Sequence, residues 1–417
     1  MSYPQIYSLD KSDNYHEWSF LFLIAFTGAA FGYTLSCMLG GPTSDEGFHA
    51  PQVWHYYIGG KDYADNLTVP PTYHFVLAFI ARQIGHYSDY ILRLINLSIA
   101  LFSLPVFYAI AARYYPRDAG VRMLQLFFAP LIFPYFFLIY TDTWALLVIA
   151  LTIFFTLRRC YLMAGLAGLT AICIRQDSVI WIGLAYILVC FDGVTITNPS
   201  RYKLLLKNAF VRGLPLLIIL FLFIAFVIYN GGVAIGDKAA HEINNFNVSN
   251  FYVFLVCAWM LFLPLNIQQL PHILVLLRKP FVLVLLIVGL LVYMGTLSNP
   301  HGYNNTLFGY FLHNGLIYIM MKTALGKFFF YIPIAWMALT LCTIKFPEKR
   351  YYWLLLIIPI SAISHPLIEP RYYFPAYMLI NLWRPSMRPS AEVLTLAIYI
   401  VVAAFIMFGT VKGMFFL

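Results

Sequence analysis

Charge is scarce in this sequence, and its scarcity limits what kind of protein the chain can form. Asp, Glu, Lys and Arg make up 10% of the 417 residues, whereas 62% of the residues are hydrophobic. A soluble domain of this size, a disordered chain and a coiled coil each need more charge or a lower apolar fraction. The composition therefore predicts a protein that crosses a membrane several times.

The sequence also has little strict alternation of polar and apolar residues. A transmembrane β-barrel needs segments of about ten residues with that alternation. The apolar runs here, such as 210–229 and 281–297, are hydrophobic on every face. Because a helix satisfies its backbone hydrogen bonds within one segment of lipid-embedded chain, we predict an all-α polytopic membrane protein.

The six cysteines show no paired spacing of the kind that a disulfide framework or a zinc site needs. We interpret them as small core residues and predict neither a metal site nor a cofactor. The formal net charge of +9 does not indicate a nucleic-acid partner. Most basic residues stand at the ends of apolar runs, where they fix membrane topology instead.

Apolar spans follow one another along the whole chain, and we predict one membrane-embedded domain over residues 1–417 with about 13 transmembrane helices. A straight crossing needs about 20 residues, so the shortest spans must use flanking aromatic residues or lie inside the bundle. The spans lie near 18–39, 91–112, 123–140, 143–157, 161–174, 178–191, 210–229, 251–271, 281–298, 327–344, 351–366, 371–383 and 393–414.

The charges assign the two sides of the membrane. If the N-terminus is cytosolic and the spans alternate, most of the basic residues fall on the cytosolic side and most of the acids on the other, as the positive-inside rule requires. The chemically unusual residues then collect on the outer side. We therefore predict that the functional site faces away from the cytosol.

The longest polar segment, 40–90, forms the first outer loop in this threading. Asp45 and Glu46 follow the first span directly, where a carboxylate is partly removed from water and its basicity rises. A short helix that begins here would place Asp45 and His49 on one face. A solvated pair of acids is the alternative. A metal site that includes His55 is not favoured, because the spacing matches no zinc motif.

Two outer segments place charges at the ends of apolar spans. Arg175-Gln176-Asp177 separates two apolar runs, and charges at that depth must be buried in protein or touch an aqueous cavity. An internal ion pair is the alternative. Arg371, next to Glu369 at the start of a span, suits a phosphate at the level of the lipid headgroups. Its alternative is a snorkelling arginine that pairs with Glu369.

Two further outer segments are polar without forming long helices. The stretch 230–241 combines glycines with Asp237, Lys238 and His241. Backbone amides and a lysine in such a loop can bind a phosphate, although an ordinary glycine-rich turn would have the same composition. The stretch 301–314 contains histidines and asparagines without a charged side chain, and it suits either sugar hydroxyls or solvent.

Several of these motifs together resemble a known family. The runs TSDEGFHAPQVWHYYIGG, TVPPTYHF, YTDTWALL, IRQDSVIW, YNGGVAIGDKAAH and HPLIEPRYYFPAYMLI occur in this order between about residues 40 and 383. In order and spacing they resemble the dolichyl-phosphate-glucose-dependent α-1,2-glucosyltransferases. Those enzymes add the terminal glucose to the dolichol-linked N-glycan precursor.

The resemblance implies fold, location and partners. It implies a GT-C glycosyltransferase in the endoplasmic reticulum membrane, with a lumenal active site. The donor would be dolichyl-phosphate glucose, and the acceptor a dolichyl-pyrophosphate-linked oligosaccharide. The chain departs from the family at 310–316, which lacks the acid and the arginine of the family stretch L-A-D-N-R-H-Y, and at Asp177 and Ser178, where the family has Thr-Asn. These departures bear on the acceptor more than on the reaction type.

Roles for individual residues follow from the chemistry. Transfer from a β-linked lipid phosphate to an α product is an inversion, so one carboxylate takes the acceptor proton while phosphate leaves on the opposite side. We assign Asp45 as the base and Glu46 to orienting the acceptor. Lys238 and Arg371, assisted by His241, are predicted to bind the donor phosphate. The predicted substrate-binding residues are His49, Arg175, Gln176, Asp142, Asp237, His313, Glu369 and Tyr372.

Two other functions remain open at this stage. The same fold and chemistry would serve another lipid-phosphate sugar or another acceptor. A transporter or scramblase of lipid-linked sugars would also need intramembrane charges and a lipid-phosphate pocket. Transporters commonly contain inverted repeats, which the sequence does not reveal, and the long first outer loop favours an enzyme.

Overall fold

The structure, a computed structural model, describes residues 11–194, 202–236 and 246–417. Within these ranges the chain forms helices and turns, with a single isolated β-bridge between Phe311 and Phe416. The predicted all-α class is confirmed. The α-helices are α1 (Lys11–Ser36), α2 (Glu46–Tyr57), α3 (Thr72–Ile84), α4 (Asp89–Ala100), α5 (Ser103–Ala112), α6 (Ala119–Phe127), α7 (Asp142–Leu157), α8 (Tyr161–Ile174), α9 (Val179–Cys190), α10 (Tyr202–Lys207), α11 (Leu214–Asn230), α12 (Ser249–Leu261), α13 (Leu263–Leu277), α14 (Pro280–Thr296), α15 (Leu312–Met321), α16 (Ala324–Thr343), α17 (Leu354–Ile363), α18 (Phe374–Trp383) and α19 (Pro389–Val411).

Four helical stretches of the described residues are long and apolar enough to cross a membrane: Trp18–Ser36, Asp89–Ala112, Ala324–Thr343 and Pro389–Val411. Two bent helix pairs, α10–α11 and α12–α13, bring the number to six if each pair is one span. Other apolar helices have only 10–17 residues. The count of about 13 crossings therefore stays a prediction.

Prolines break two of the predicted spans. The sequence predicted a span at 123–140, but α6 ends at Phe127 and one turn of 3₁₀-helix follows at Phe133–Phe136. Pro130 and Pro134 lack the amide hydrogens that a continuous helix would need. The span predicted at 251–271 is bent by 99° between α12 and α13, where proline again occupies the first turn of the second helix.

Burial separates the inner helices from the outer ones. Every residue of α18 is buried, so the short span predicted at 371–383 lies inside the bundle. Helices α11 and α14 instead expose large apolar side chains along most of their length, among them Phe221, Ile287 and Leu291. An apolar surface of this kind suits contact with lipid.

The first outer loop folds back onto the bundle. Helix α2 packs along α3, and α3 contacts α4 and α8. Ser88 caps α4 by accepting a hydrogen bond from the Ile91 amide at 3.3 Å, and Gly85, with φ of 74°, ends α3. This arrangement places the first residues of α2 close to the N-terminal ends of α7 and α18.

Candidate active site

A cavity of about 560 Å³ opens where the first outer loop meets the bundle. The segments that line it lie far apart in sequence, and most of them contain an outer-side motif. The cavity brings together most of the predicted site residues that the structure describes. Its ionisable and amide lining residues include Asp45, His49, Arg175, Gln176, Asp177, His313, His365, Glu369 and Arg371.

Asp45 and Arg371 form an ion pair on the wall of this cavity. Arg371 Nη1 lies 2.6 Å from Asp45 Oδ2, and the Asp45 side chain is still 32% exposed. The chain turns at Ser44, whose φ is 50°, a backbone conformation that residues other than glycine rarely adopt. The Asp45 amide then donates to the Tyr140 hydroxyl at 2.9 Å. Backbone and side chain of Asp45 are thus both held in place.

Arg371 lies among three carboxylates. Its Nε binds Glu369, and its Nη1 lies 4.0 Å from Asp142 in addition to contacting Asp45. Removal from water would by itself raise the pKa of the Asp45 carboxyl, but the positive groups around it, of which Arg371 has the largest effect, together hold that pKa below its usual value. Burial raises the pKa of Glu369, even though Arg371 opposes the rise. The site thus pushes the two carboxyl pKa values in opposite directions.

A second ion cluster lies beside the first. Arg175 binds Asp177 through two hydrogen bonds of 3.2 and 2.9 Å and Asp142 through one of 2.8 Å. The guanidinium also lies 5.7 Å from the centre of the Tyr372 ring. The His365 ring stacks on the Tyr372 ring, with ring centres 4.0 Å apart. The motif around Arg175 is therefore an ion pair that also lines a cavity, which combines the two interpretations of the sequence.

Glu46 does not face the cavity. Its side chain is fully buried and binds Arg93 with distances of 3.0 and 2.7 Å. It also accepts hydrogen bonds from the amides of Thr43, at 2.9 Å, and Ile139, at 2.7 Å. A buried carboxylate requires partners of this kind. This geometry gives no support to the predicted contact with an acceptor and assigns Glu46 to holding the start of α2.

His49 lines the cavity one helical turn after Asp45. Its Nδ1 lies 2.8 Å from Nε2 of His74, and both side chains are buried. Burial lowers the pKa of His49 to about 4. The imidazole is therefore neutral at physiological pH. The predicted substrate contact by His49 fits this position.

Asparagines hold the segment 365–368, which precedes Glu369. Asn250 donates to the carbonyls of His365 and Leu367 at 2.7 and 3.0 Å, and Asn247 donates to Pro366 at 2.9 Å. Asn304 donates to the Ile368 carbonyl and accepts from its amide, both at 2.9 Å. We call these three side chains the asparagine clamp. The clamp fixes the backbone from which Glu369 and Arg371 reach the cavity.

The stretch 301–314 therefore contributes structure as well as lining. Asn314 lines the cavity, but its side chain binds Asn304 and the carbonyls of Tyr303 and Thr306, all at 2.9 Å. His313 also lines the cavity and is hydrogen-bonded to the backbone of Leu417. The segment that departs from the family pattern, 310–316, thus forms part of the cavity wall.

The glycine-rich loop reaches the same cavity from another side. Val233 and Ala234 line it, and the Ile235 amide donates to the Thr68 carbonyl at 3.3 Å. Gln176 donates to the same carbonyl at 2.6 Å. A Cβ at Gly236 would lie 2.0 Å from the Leu67 carbonyl oxygen, so this close approach requires glycine. Three predicted site residues, Asp237, Lys238 and His241, lie outside the described residues.

Sequence reasoning missed several residues that complete the site. Arg93 holds Glu46, His74 binds His49, and Tyr140 binds the Asp45 amide. Arg93 lies in an apolar span, and a lone cation there is the signal that would have indicated a buried acidic partner. His74 and Tyr140 belong to the quoted motifs, but nothing in their spacing indicates what they contact.

Comparison with known proteins adds a family. The sequence matches the DIE2/ALG10 family over residues 40–203 and 194–382. Relatives named Dol-P-Glc:Glc(2)Man(9)GlcNAc(2)-PP-Dol alpha-1,2-glucosyltransferase include one from Kluyveromyces lactis, 31% identical over 52% of this chain and 44% of the relative. Another, from Candida albicans, is 23% identical over 82% of this chain and 84% of the relative. The chain spans about half the length of the Kluyveromyces lactis relative and of a relative with the same name from Debaryomyces hansenii.

Among solved structures, the chain is similar to that titled ArnT from Cupriavidus metallidurans bound to Undecaprenyl phosphate. The TM-score is 0.49 and the sequence identity 15%, and the alignment covers 95% of this chain and 78% of that one.

Proposed function

The chain belongs to the DIE2/ALG10 family, and from this premise we propose that it is an inverting glycosyltransferase. It moves glucose from dolichyl-phosphate glucose to a dolichyl-pyrophosphate-linked oligosaccharide and forms a terminal α-1,2 linkage. The names of its relatives support this activity. The reaction takes place at the lumenal face of the endoplasmic reticulum membrane, within a GT-C fold.

The observation that carries the proposal is the contact between Asp45 and Arg371 on the cavity wall. The reaction needs a carboxylate that takes a proton and a cation that stabilises a leaving phosphate. Asp45 and Arg371 supply both within one cavity of about 560 Å³, a volume typical of small-molecule sites.

The chemical step follows from these two residues. Asp45 takes the proton of the acceptor hydroxyl as its oxygen forms a bond to the anomeric carbon of the donor glucose. On the opposite side of that carbon, the bond to the phosphate oxygen breaks, and dolichyl phosphate leaves with the electron pair. Arg371 binds the negative charge that develops on the phosphate. Attack opposite the leaving group converts the β-linked donor into an α-linked product.

Binding of the donor must separate Asp45 from Arg371. Their contact of 2.6 Å leaves no room for a sugar, whereas in an inverting reaction the base and the leaving group lie on opposite sides of the anomeric carbon. The arriving phosphate competes with Asp45 for Arg371, because both are anions. Release from Arg371 removes the largest of the charge effects that lower the Asp45 pKa, so Asp45 becomes a stronger base once donor is bound.

Other residues in and around the cavity complete the proposed site. Lys238, with His241 assisting, provides a second cation for the phosphate. The placement of Val233 and Ala234 in the cavity wall supports this role, because they precede Lys238 by only a few residues. Glu46 holds the start of α2 in position. The proposed substrate-binding residues in the cavity lining are His49, Arg175, Gln176, His313, Glu369 and Tyr372. Asp142, behind the lining, and Asp237, outside the described residues, are proposed to bind substrate with them.

The cavity wall also favours a second candidate, a transferase of the same chemistry with another acceptor or donor sugar. The segment 310–316 lines the cavity and lacks the acid and the arginine of the family pattern. A changed wall changes which hydroxyls can form hydrogen bonds, and this can alter substrate choice by large factors.

The test is transfer by the purified protein in detergent or lipid. Synthetic dolichyl-phosphate glucose and dolichyl-phosphate mannose are each offered with lipid-linked glycans that carry two glucoses or none. Transfer of glucose only to the diglucosylated acceptor supports the first candidate, and transfer to another acceptor or from the mannose donor supports the second. No transfer with any pair, by protein that binds dolichyl phosphate, would contradict both.

A further inference from the structure

We propose that His74 is a positioning residue that fixes the tautomer of His49 and makes His49 a hydrogen-bond donor to the transferred sugar. The inference rests on the proposed function and adds a specificity element to the same site. His74 does not line the cavity, so it acts only through His49.

The contact between the two histidines is short and enclosed. His49 Nδ1 and His74 Nε2 lie 2.8 Å apart, and the ring centres are separated by 5.0 Å. The His74 side chain is completely buried. The rings of Tyr63 and Tyr73 lie edge-on to His74, at 6.0 and 5.4 Å. These neighbours fix the orientation of the His74 ring.

The second nitrogen of His74 decides the direction of this hydrogen bond. His74 Nδ1 is buried and has no hydrogen-bond partner. A buried N–H without an acceptor is rarer in proteins than a buried acceptor without a donor. Nδ1 of His74 is therefore the unprotonated nitrogen, and Nε2–H donates to His49 Nδ1. The remaining proton of neutral His49 then resides on Nε2, the nitrogen opposite the contact.

The charges around His49 keep it in this neutral form. Burial lowers its pKa to about 4, and although Asp45 opposes this effect, Arg371 and Arg175 add to it. Burial also places the pKa of His74 well below its usual value. Tyr73 and Tyr140, the other rings against His49, carry no charge at neutral pH. Neutral His49 therefore presents an N–H that can donate a hydrogen bond.

The position of His49 determines what it binds. His49 follows Asp45 by one helical turn, and its amide donates to the Asp45 carbonyl at 3.0 Å. A sugar whose anomeric carbon faces Asp45 places a neighbouring hydroxyl beside His49. The N–H of His49 can donate to the oxygen of that hydroxyl, and no comparable group of dolichyl phosphate alone lies there.

The test compares binding of dolichyl-phosphate glucose with binding of dolichyl phosphate, which lacks the sugar. In His74→Leu the tautomer of His49 is no longer fixed. We expect the affinity for dolichyl-phosphate glucose to fall roughly threefold to tenfold, the range of one neutral hydrogen bond. The affinity for dolichyl phosphate should not change. His74→Gln places an amide N–H near the former Nε2 position and should restore most of the loss.

Controls separate this effect from misfolding and from failure of the proposed function. His86→Leu changes an exposed histidine after α3 and should affect neither ligand. If His74→Leu does not fold, His74→Asn, whose amide lies nearer the Nδ1 position, should produce the same selective loss. Equal loss of both ligands, or no loss, would overturn the inference while wild-type transfer stands. Wild-type protein that prefers another donor would instead contradict the proposed donor, and the comparison would then be repeated with that donor.

Discussion

Arg371 is the residue at which the charges of the candidate site meet. It contacts the proposed base, Asp45, and a second carboxylate, Glu369, and it lies 4.0 Å from a third, Asp142. A cation shared in this way can exchange one carboxylate for a phosphate without remaining unpaired. The arrangement thus links binding of an anionic donor to release of the base.

Replacement of Asp45 tests the base. We expect Asp45→Asn to lower kcat at least 100-fold, because general-base catalysis typically contributes a factor of about 10² to 10⁴. Binding of dolichyl phosphate should persist or become tighter, because the phosphate no longer competes with a carboxylate for Arg371. Asp62→Asn makes the same change at an exposed position in the same loop and should leave kcat unchanged. Turnover by Asp45→Asn within threefold of wild type would refute the assignment.

Replacement of the cations tests the phosphate site. We expect Arg371→Ala and Lys238→Ala each to weaken binding of dolichyl phosphate. The double variant should lose less than the sum of the single losses, because both side chains bind one ligand. Arg371→Lys should recover only part of the affinity, since an ammonium cannot replace a bidentate guanidinium. Strictly additive losses would place the two cations at different ligands.

At the scale of secondary-structure elements, two polar devices hold the site. Glu46 ties the start of α2 to Arg93 on α4, and the asparagine clamp ties the segment before α18 to α12 and to residue 304. Both devices place a buried polar group at an irregular part of the backbone, where helical hydrogen bonds are missing. They position Asp45 and Arg371 respectively.

Glu46→Gln tests the first of these devices. The change leaves the Arg93 charge buried without its partner, which typically costs about 3–5 kcal/mol. We expect a lower thermal unfolding midpoint and, in consequence, lower activity, whereas the sequence alone assigned Glu46 to orienting the acceptor. Glu46→Gln together with Arg93→Met, which removes both charges, should regain part of the stability. A Glu46→Gln protein with wild-type stability would show that the ion pair is not structural.

Asn250→Ala tests the asparagine clamp. The substitution leaves the carbonyls of His365 and Leu367 without these donors, and each unsatisfied buried group costs about 1–3 kcal/mol. We expect lower stability together with weaker binding of dolichyl phosphate, because Arg371 follows this segment. Gln83→Ala, which removes an exposed amide side chain on α3, is the control and should change stability by less than about 0.5 kcal/mol. Equal effects of the two substitutions would mean that the clamp does not hold the site.

For the whole molecule, the main prediction is the assignment of its loops to the two sides of the membrane. The cavity residues and the basic connections occupy opposite sides in the threading from sequence. Labelling of single introduced cysteines can test this assignment. Gly60, in the first outer loop, is a poor position for such a cysteine, because a side chain there would contact His55. The adjacent Lys61 and the exposed Pro116 are better positions for single cysteines.

We expect Lys61→Cys to react with an impermeant thiol reagent only from the lumenal side, and Pro116→Cys only from the cytosolic side. The background protein should lack the exposed Cys160 and Cys342. The charge asymmetry of the loops is the physical reason, because basic loops are retained in the cytosol. Labelling of both positions from one side would refute the threading.

The sequence by itself determined the class of the protein and identified many of the polar residues that line the candidate site. Low charge and long apolar runs leave only a helical membrane protein. The polar motifs between those runs identified Asp45, His49, Arg175, Gln176, His313, Glu369, Arg371 and Tyr372, all of which line one cavity. These features are local, since they depend on which residues occur at the ends of apolar segments.

Only the tertiary structure decided which groups contact each other. Arg371 binds Asp45 although the two residues are 326 positions apart in the sequence, Glu46 pairs with Arg93, and His74 binds His49. The asparagines at 301–314 satisfy backbone carbonyls, although their composition equally suits sugar hydroxyls. Polar side chains in a membrane protein need partners, but the sequence does not reveal which ones, because those partners are supplied by helices that pack together from distant parts of the chain.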